Sequence, residues 1–344
     1  MLSCMPRTGR VPQLALWGIH HALQPSAAVA AAVFSASPHA HHAAAQLSAS
    51  TAVYKGSISY TQAIILGLIQ GVTELVPISS LGHTVVLPQL FGWHKLVIAE
   101  SQPESFWLPF VVGLHVGTAL ALVAYFFKTW IEIVKGLAQS IVRRKIETSS
   151  QRLGWLLVVA TIPAGIFGLL LEHPLRVLFT KPLAASIFLT CNGLLLFFGE
   201  WVRRRVLARE HRGERPKREL ANLSFVEAVV VGVAQIGALF AGISRSGITM
   251  VAGLVRGLNH EDSARFAFLL ATPIILGAGV VKIPDLLGPL GNGVRGQTLV
   301  GAAFAAVAAL ISVHFLSKYF ETKTLWPFAA YCLAAGIGLT IYFH

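Results

Sequence analysis

Apolar and polar positions along this chain are grouped on the scale of a membrane rather than of a globular core. Six stretches contain no Asp, Glu, Lys or Arg: residues 106–127, 153–171, 183–199, 266–281, 298–317 and 324–344. A helix needs about 20 apolar residues to cross a hydrocarbon core about 30 Å thick, so each run predicts a transmembrane helix. The run 266–281 is short, and its helix is expected to begin a few residues earlier, with Arg265 packed or snorkelling.

Two further stretches, 57–93 and 224–257, are apolar but broken in the middle by polar residues. The apolar halves of the first are each about ten residues, or about 15 Å as helix, enough to go only partway across. Irregular backbone at membrane depth is tolerated where protein or a water-filled cavity satisfies it. Each stretch is therefore expected to form a re-entrant helix hairpin, because one continuous span would strand the Glu74 carboxylate in lipid. A shift of 165 residues superimposes the two: Ser59 on Ser224, Ala63 on Ala228, Gly67 on Gly232, Gln70 on Gln235, Ser79 on Ser244, Gly82 on Gly247 and Thr84 on Thr249. This is an internal repeat, with halves at about 57–127 and 224–282.

The fold class expected is an all-α polytopic membrane protein with six transmembrane helices and two re-entrant hairpins. Residues 57–344 form its membrane domain. Residues 1–56 are an N-terminal extension that reads as a disordered tail, a signal-like segment or a mis-assigned start. Metal binding by its His39, His41 and His42 is a lesser alternative.

Composition supports this reading, with 55% apolar and only 12% charged residues among 344. The net charge of +12 raises a nucleic-acid partner, but the basic residues are concentrated in segments 128–152 and 200–223. Two spans separate those segments, so they share one side, and short basic loops are cytoplasmic. The excess charge orients the domain, and no nucleic-acid partner is expected. It also places the 94–105 loop outside, so the two hairpins enter from opposite faces as an inverted-topology repeat. Cys4, Cys191 and Cys332 show neither metal-ligand spacing nor a disulfide framework.

Inverted repeats of broken helices place their site near the midplane, where half-helix N-termini attract anions. The tips here are VPISSLGHT (76–84) and AGISRSGIT (241–249). Arg245 is costly at bilayer depth, and its planar donor fork suits phosphate oxygens. A plain structural ion pair with Glu74 is the competing reading. Ser79, Ser80, Ser244, Ser246 and Thr249, flanked by Gly82, Gly242 and Gly247, look like a phosphate cradle. Glu74 lies four residues after Gln70, on the same helical face, and His83 follows the turn. Carboxylate, imidazole and guanidinium together fit phosphoryl transfer. His115, alone in the middle of its span, reads as structural.

The run QGVTELVPISSLGH (70–83) resembles the (E/Q)xxxE and PxSSxGH motifs of the bacterial undecaprenyl-diphosphatases of the bacitracin-resistance type. AGISRSGIT resembles that family's PGxSRSxxT. The similarity extends from about residue 57 to the C-terminus, including ATIPAGIFGLLLE (160–172) and WPFAAY (326–331).

The resemblance implies a multi-pass hydrolase of the bacterial plasma (inner) membrane, its site facing the outer side. It would convert undecaprenyl diphosphate to undecaprenyl phosphate and inorganic phosphate, recycling the carrier for peptidoglycan synthesis and cell-wall biogenesis and conferring bacitracin resistance. Carried over residue by residue, it makes Glu74, Ser80, His83 and Arg245 catalytic. Ser79, Ser244, Ser246, Thr249 and Gln70 would bind phosphate. A divalent cation, Mg²⁺ or Ca²⁺, would rest mainly on Glu74, because Gln70 stands where many members have Glu. Ala241 replaces the motif's proline. Between His83 and Ser80 as nucleophile or proton-transfer group the sequence does not choose. The expected partners are the polyprenyl diphosphate lipid, the bilayer and a second copy in a homodimer. A transporter or flippase for an anionic lipid is the alternative function, since facing broken helices also build transporters; a channel or scaffold explains the buried Arg, Glu and His less well.

Overall fold

The computed structural model describes residues 57–102, 104–179, 181–213 and 218–344. The N-terminal extension with its histidines, and with it the expectations for residues 1–56, lies outside the described residues. Among the described residues twelve α-helices follow one another: α1 Tyr60–Thr73, α2 Ser80–Leu90, α3 His94–Ser101, α4 Trp107–Tyr125, α5 Phe127–Arg143, α6 Ser149–Phe179, α7 Pro182–His211, α8 Phe225–Ala234, α9 Arg245–Val255, α10 His260–Leu287, α11 Arg295–Thr322 and α12 Trp326–Phe343. Six of them, α4, α6, α7, α10, α11 and α12, are long and apolar enough to cross a membrane. The protein is an all-α, multi-pass membrane protein.

Each interrupted stretch is two short helices around a break. The sequence offset reappears in the helix ends, since α2 and α9 begin and end 165 residues apart and α1 and α8 begin 165 apart. The caps repeat as well. Ser59 and Ser224 each accept from the amide three residues on and close a capping box, with Gln62 and Glu227 respectively. Ser79 caps α2 through the Gly82 amide, and Ser244 caps α9 through the Gly247 amide. A cap hydroxyl followed by a reciprocating acid or amide satisfies two N-terminal donors, which matters most where little water is available.

Small residues let these half-helices approach their neighbours. A Cβ on Gly67 or Gly71 of α1 would collide with the backbone of Gly301 or Ala305 on α11, and one on Gly232 of α8 with Ala160 on α6. Close backbone approach through small residues is the usual packing of helices in lipid. α4 and α10 lie beside one another and run antiparallel, Gly279 meeting Val116 and Gly113 meeting Ile283.

Two boundaries differ from expectation. The basic segment 128–152 is mostly helix, because Trp130, Ile133, Leu137 and Ser140 fall at helical spacing and α5 packs them against Leu153, Trp155 and Leu156 of α6. The segment 200–223 begins as a continuation of α7, which carries Arg203, Arg204 and Arg205 on helical backbone to His211. As expected, α10 begins ahead of its uncharged run, at His260, with Arg265 exposed on it.

Candidate active site

The two breaks meet. Ser79 takes a left-handed backbone at φ 70°, uncommon for a residue with a side chain. This puts its Oγ where it accepts from Gly82 N of its own tip at 3.2 Å and from Gly242 N of the other tip at 3.1 Å. Gly242 has φ 111°, and a Cβ there would strike the α7 backbone at Ala185 and Leu189, so only glycine fits. Asn192 of α7 joins the tips a second time. Its Nδ2 donates to Pro77 O at 3.0 Å, and its Oδ1 accepts from Ser244 N at 2.9 Å.

Between the tips Glu74 is the hub. Its Oε1 accepts from Arg245 Nη2 at 2.8 Å, and its Oε2 from Ser80 Oγ at 2.5 Å and from Gln70 Nε2 at 3.0 Å. His115 Nε2 lies 3.2 Å from Oε2, while His115 Nδ1 donates to Val111 O at 2.8 Å. A carboxylate only 6% exposed is tolerable at this depth because several donors converge on it. The ion pair of the competing reading is thus made, but it uses one arm of the guanidinium. Arg245 Nη1 is buried and has no partner among the described residues.

A cavity of about 450 Å³ opens onto this cluster, lined on its polar side by Glu74, Ser79, Ser80, His115, Gln235, Ser244 and Arg245. Ligand sites of this kind combine a mostly apolar wall with a few convergent polar groups. Among the sequence-predicted residues, Glu74, Ser80, Arg245, Ser79 and Ser244 come together on the wall. Ser246, Thr249 and Gln70 do not line it but lie buried behind. Ser246 Oγ is 3.0 Å from Ser244 Oγ, and the Thr249 hydroxyl and Gln70 Oε1 have no partner among the described residues. His83 faces elsewhere, with Nδ1 donating to Ser79 O at 2.6 Å and Nε2 2.8 Å from the Tyr331 hydroxyl, its ring stacked on Tyr331. His115, read from the sequence as structural, is the imidazole on the cavity wall. Asn192 and Gln235 were singled out by no motif. The signal for Asn192 was a polar amide within the apolar part of α7, and that for Gln235, at the end of α8, its match to Gln70 in the repeat.

The side chains present do not by themselves form a divalent-cation site. No group of three His, Cys, Asp or Glu side chains converges among the described residues. The one carboxylate is already engaged by Arg245, Ser80, Gln70 and His115, and Gln70 brings no second charge.

The family model described as bacitracin resistance protein BacA matches residues 63–338, which takes in both tips, five of the six spans whole and most of the sixth. The chain belongs to the BacA family. It is similar to undecaprenyl-diphosphatase 2 of Frankia alni, with 47% identity over 337 residues, covering 83% of this chain and 98% of that protein. It is also similar to the undecaprenyl-diphosphatase of Mycolicibacterium paratuberculosis, 50% identical over 292 residues, covering 81% and 95%. A relative from Granulibacter bethesdensis with the same name is 42% identical, covering 84% and 98%. For this BacA-family chain the matches cover nearly the whole of each relative, so the tips and the cavity belong to the shared part.

Proposed function

We propose that this protein hydrolyses undecaprenyl diphosphate to undecaprenyl phosphate and inorganic phosphate, in keeping with its BacA-family relatives. The observation that carries the reading is the unpartnered Arg245 Nη1 beside a Ser80–Glu74 pair on the wall of one cavity. A guanidinium with a spare donor arm takes a phosphate oxygen, and a hydroxyl donating to a carboxylate is a nucleophile with its base.

In the mechanism that follows, Arg245 and the Ser244 hydroxyl hold the terminal phosphate between the two tips, with α2 and α9 directing their amide ends at it. Ser80 Oγ attacks the terminal phosphorus and passes its proton to Glu74, and the prenyl monophosphate leaves. Water then hydrolyses the phosphoserine, releasing inorganic phosphate and restoring the hydroxyl. His115 and Gln70 hold the carboxylate in place throughout. His83, on Tyr331, supports the backbone of the first tip.

The site would face the outer side of a bacterial plasma membrane, with both hairpins re-entrant from opposite faces. What supports this is that the cavity runs toward Leu108 at the start of α4 and Lys282 near the end of α10, the ends opposite to the basic segments. The same orientation fits recycling of the carrier for the cell wall and bacitracin resistance. A transporter built on this repeat would have no use for a hydroxyl aimed at a carboxylate.

Phosphate release from undecaprenyl diphosphate in detergent tests the reading, because no gradient exists there for a transporter to use. Arg245→Ala is expected to lower kcat/KM by about 10³-fold, the order found when a donor to a developing charge is removed. Turnover near that of the parent would remove the clamp. Phosphate trapped on Ser80 in an acid-quenched reaction supports covalent catalysis, and its absence with full turnover leaves direct attack by water.

A further inference from the structure

A 55-carbon hydrocarbon tail belongs in lipid, while its diphosphate has to reach the polar tips that line the cavity. Most of the tail stays in lipid, so the wall must open sideways at a definite place, and the glycines show where.

Most glycines in the spanning helices are packing residues. A Cβ on Gly117 would hit Ala302, one on Gly193 Leu333, one on Gly279 Val116. Gly165 on α6 and Gly277 on α10 are different, because a Cβ at either would meet nothing within 4 Å. Gly168, one turn on from Gly165, would meet only a Leu239 methyl at 4.0 Å. All three line the cavity, together with Ala164 and Ala278. Glycine weakens a helix relative to alanine, and here no neighbour requires it. Two facing helices thus leave a gap where side chains would otherwise close the wall. Beside the gap Leu170 and Val280 are 69% and 78% exposed, so it gives onto the lipid. An independent sign of an occupant is Gln235. It lines the same cavity at 2% exposure, and its Nε2 is fixed on Ala160 O, leaving Oε1 without a partner.

We propose that the slot between α6 and α10 at Gly165, Gly168 and Gly277 is the lateral portal through which the first isoprene units of the substrate pass from the site to the bilayer. This rests on the lipid-diphosphatase reading. The tail threads the slot while the diphosphate lies between the tips, so the slot sets which tails are accepted by the width of their first units and not by total length.

The test is a set of single substitutions in detergent-solubilised protein, with orthophosphate release as the readout. Gly165→Phe and Gly277→Phe are expected to lower kcat/KM for undecaprenyl diphosphate about tenfold or more, the scale on which hydrophobic pockets discriminate shape, through a raised KM. Gly338→Phe is the control: a Cβ at Gly338 also meets nothing, but this residue does not line the cavity. Phe variants that fold with the parent's thermal midpoint and turn over like it overturn the portal, as does an equal loss in Gly338→Phe. If the Phe variants fail to fold, a prenyl diphosphate with a photoreactive group on its first isoprene unit decides by its cross-links. Adducts on α6 and α10 support the portal, and adducts confined to other helices overturn it. A parent protein that releases no phosphate defeats the diphosphatase reading alone, because the cross-linking arm does not need turnover.

Discussion

A buried carboxylate in an apolar chain has to be matched donor for donor, and Glu74 shows how far that requirement reaches. Two of its partners, Gln70 and Ser80, lie within six residues; the others, His115 and Arg245, come from α4 and from the second tip. This division decides what could be read in the sequence. Glu74, Ser80 and Arg245 stand in polar tips that interrupt apolar runs. His115 is a single histidine in a span and gains its meaning from a contact across helices. His83 shares a motif with Ser80, yet its ring lies against Tyr331 of α12, a neighbour that the motif does not name. Asn192 is the most exacting case, since it is 0% exposed and satisfies one backbone group on each tip. Asn192→Ala would leave the Ser244 amide unpaired and the Pro77 carbonyl with only the long contact from Cys332 Sγ at 3.9 Å, for a combined loss of about 2 to 4 kcal/mol. Thermal unfolding in detergent should therefore show a clearly lower midpoint, together with reduced turnover as the tips separate.

At the scale of the element, the repeat was legible because caps and close-packing glycines recur at one offset, and the helix ends follow them. The helix α5 was not, because a search for uncharged runs passes over an amphipathic helix that carries Lys128, Lys135 and Arg143. The start of the second hairpin is pinned by Arg218, whose guanidinium donates to both Glu227 oxygens at 2.7 and 2.9 Å. That pair, chiefly through its hydrogen bonds, holds the Glu227 carboxyl down to about 2. A folded-state value below the usual carboxylate value of about 4.3 contributes stability that is complete above that value. It is lost as the pH falls from about 4 toward 2. The thermal midpoint of the parent should consequently drop more steeply across pH 4.5 to 2.5 than that of Glu227→Gln, which has no carboxylate to protonate. Parallel curves would show that the pair does not anchor the hairpin.

At the scale of the molecule, charge alone predicts an orientation, since the basic side chains gather in α5 and in the α7 extension. The cavity could not be read that way, because it is the space left between the two tips and parts of α4, α6 and α10, and a sequence pattern records contacts better than gaps. The proposed outer-facing site makes a direct prediction for a cysteine-free background with single cysteines added. Asn292→Cys, between α10 and α11, should react with a membrane-impermeant maleimide in intact cells, and His211→Cys, at the end of α7, only after permeabilisation. The reverse pattern would invert the protein and turn the cavity toward the cytoplasm.

The pairing of Glu74 with Arg245 joins residues 171 positions apart, and that separation is also an interval of time. At about 5 to 20 residues per second of synthesis, roughly 10 to 35 s pass between the appearance of the carboxylate and that of its guanidinium. During that interval the first hairpin carries an acid into the membrane without its main counter-charge. It can settle only provisionally, held by Gln70, Ser80 and later His115, and it takes its final place when the second tip arrives. Biogenesis of this enzyme is therefore completed from its second half, and a ribosome halted before Arg245 leaves a first hairpin that the membrane has no reason to keep.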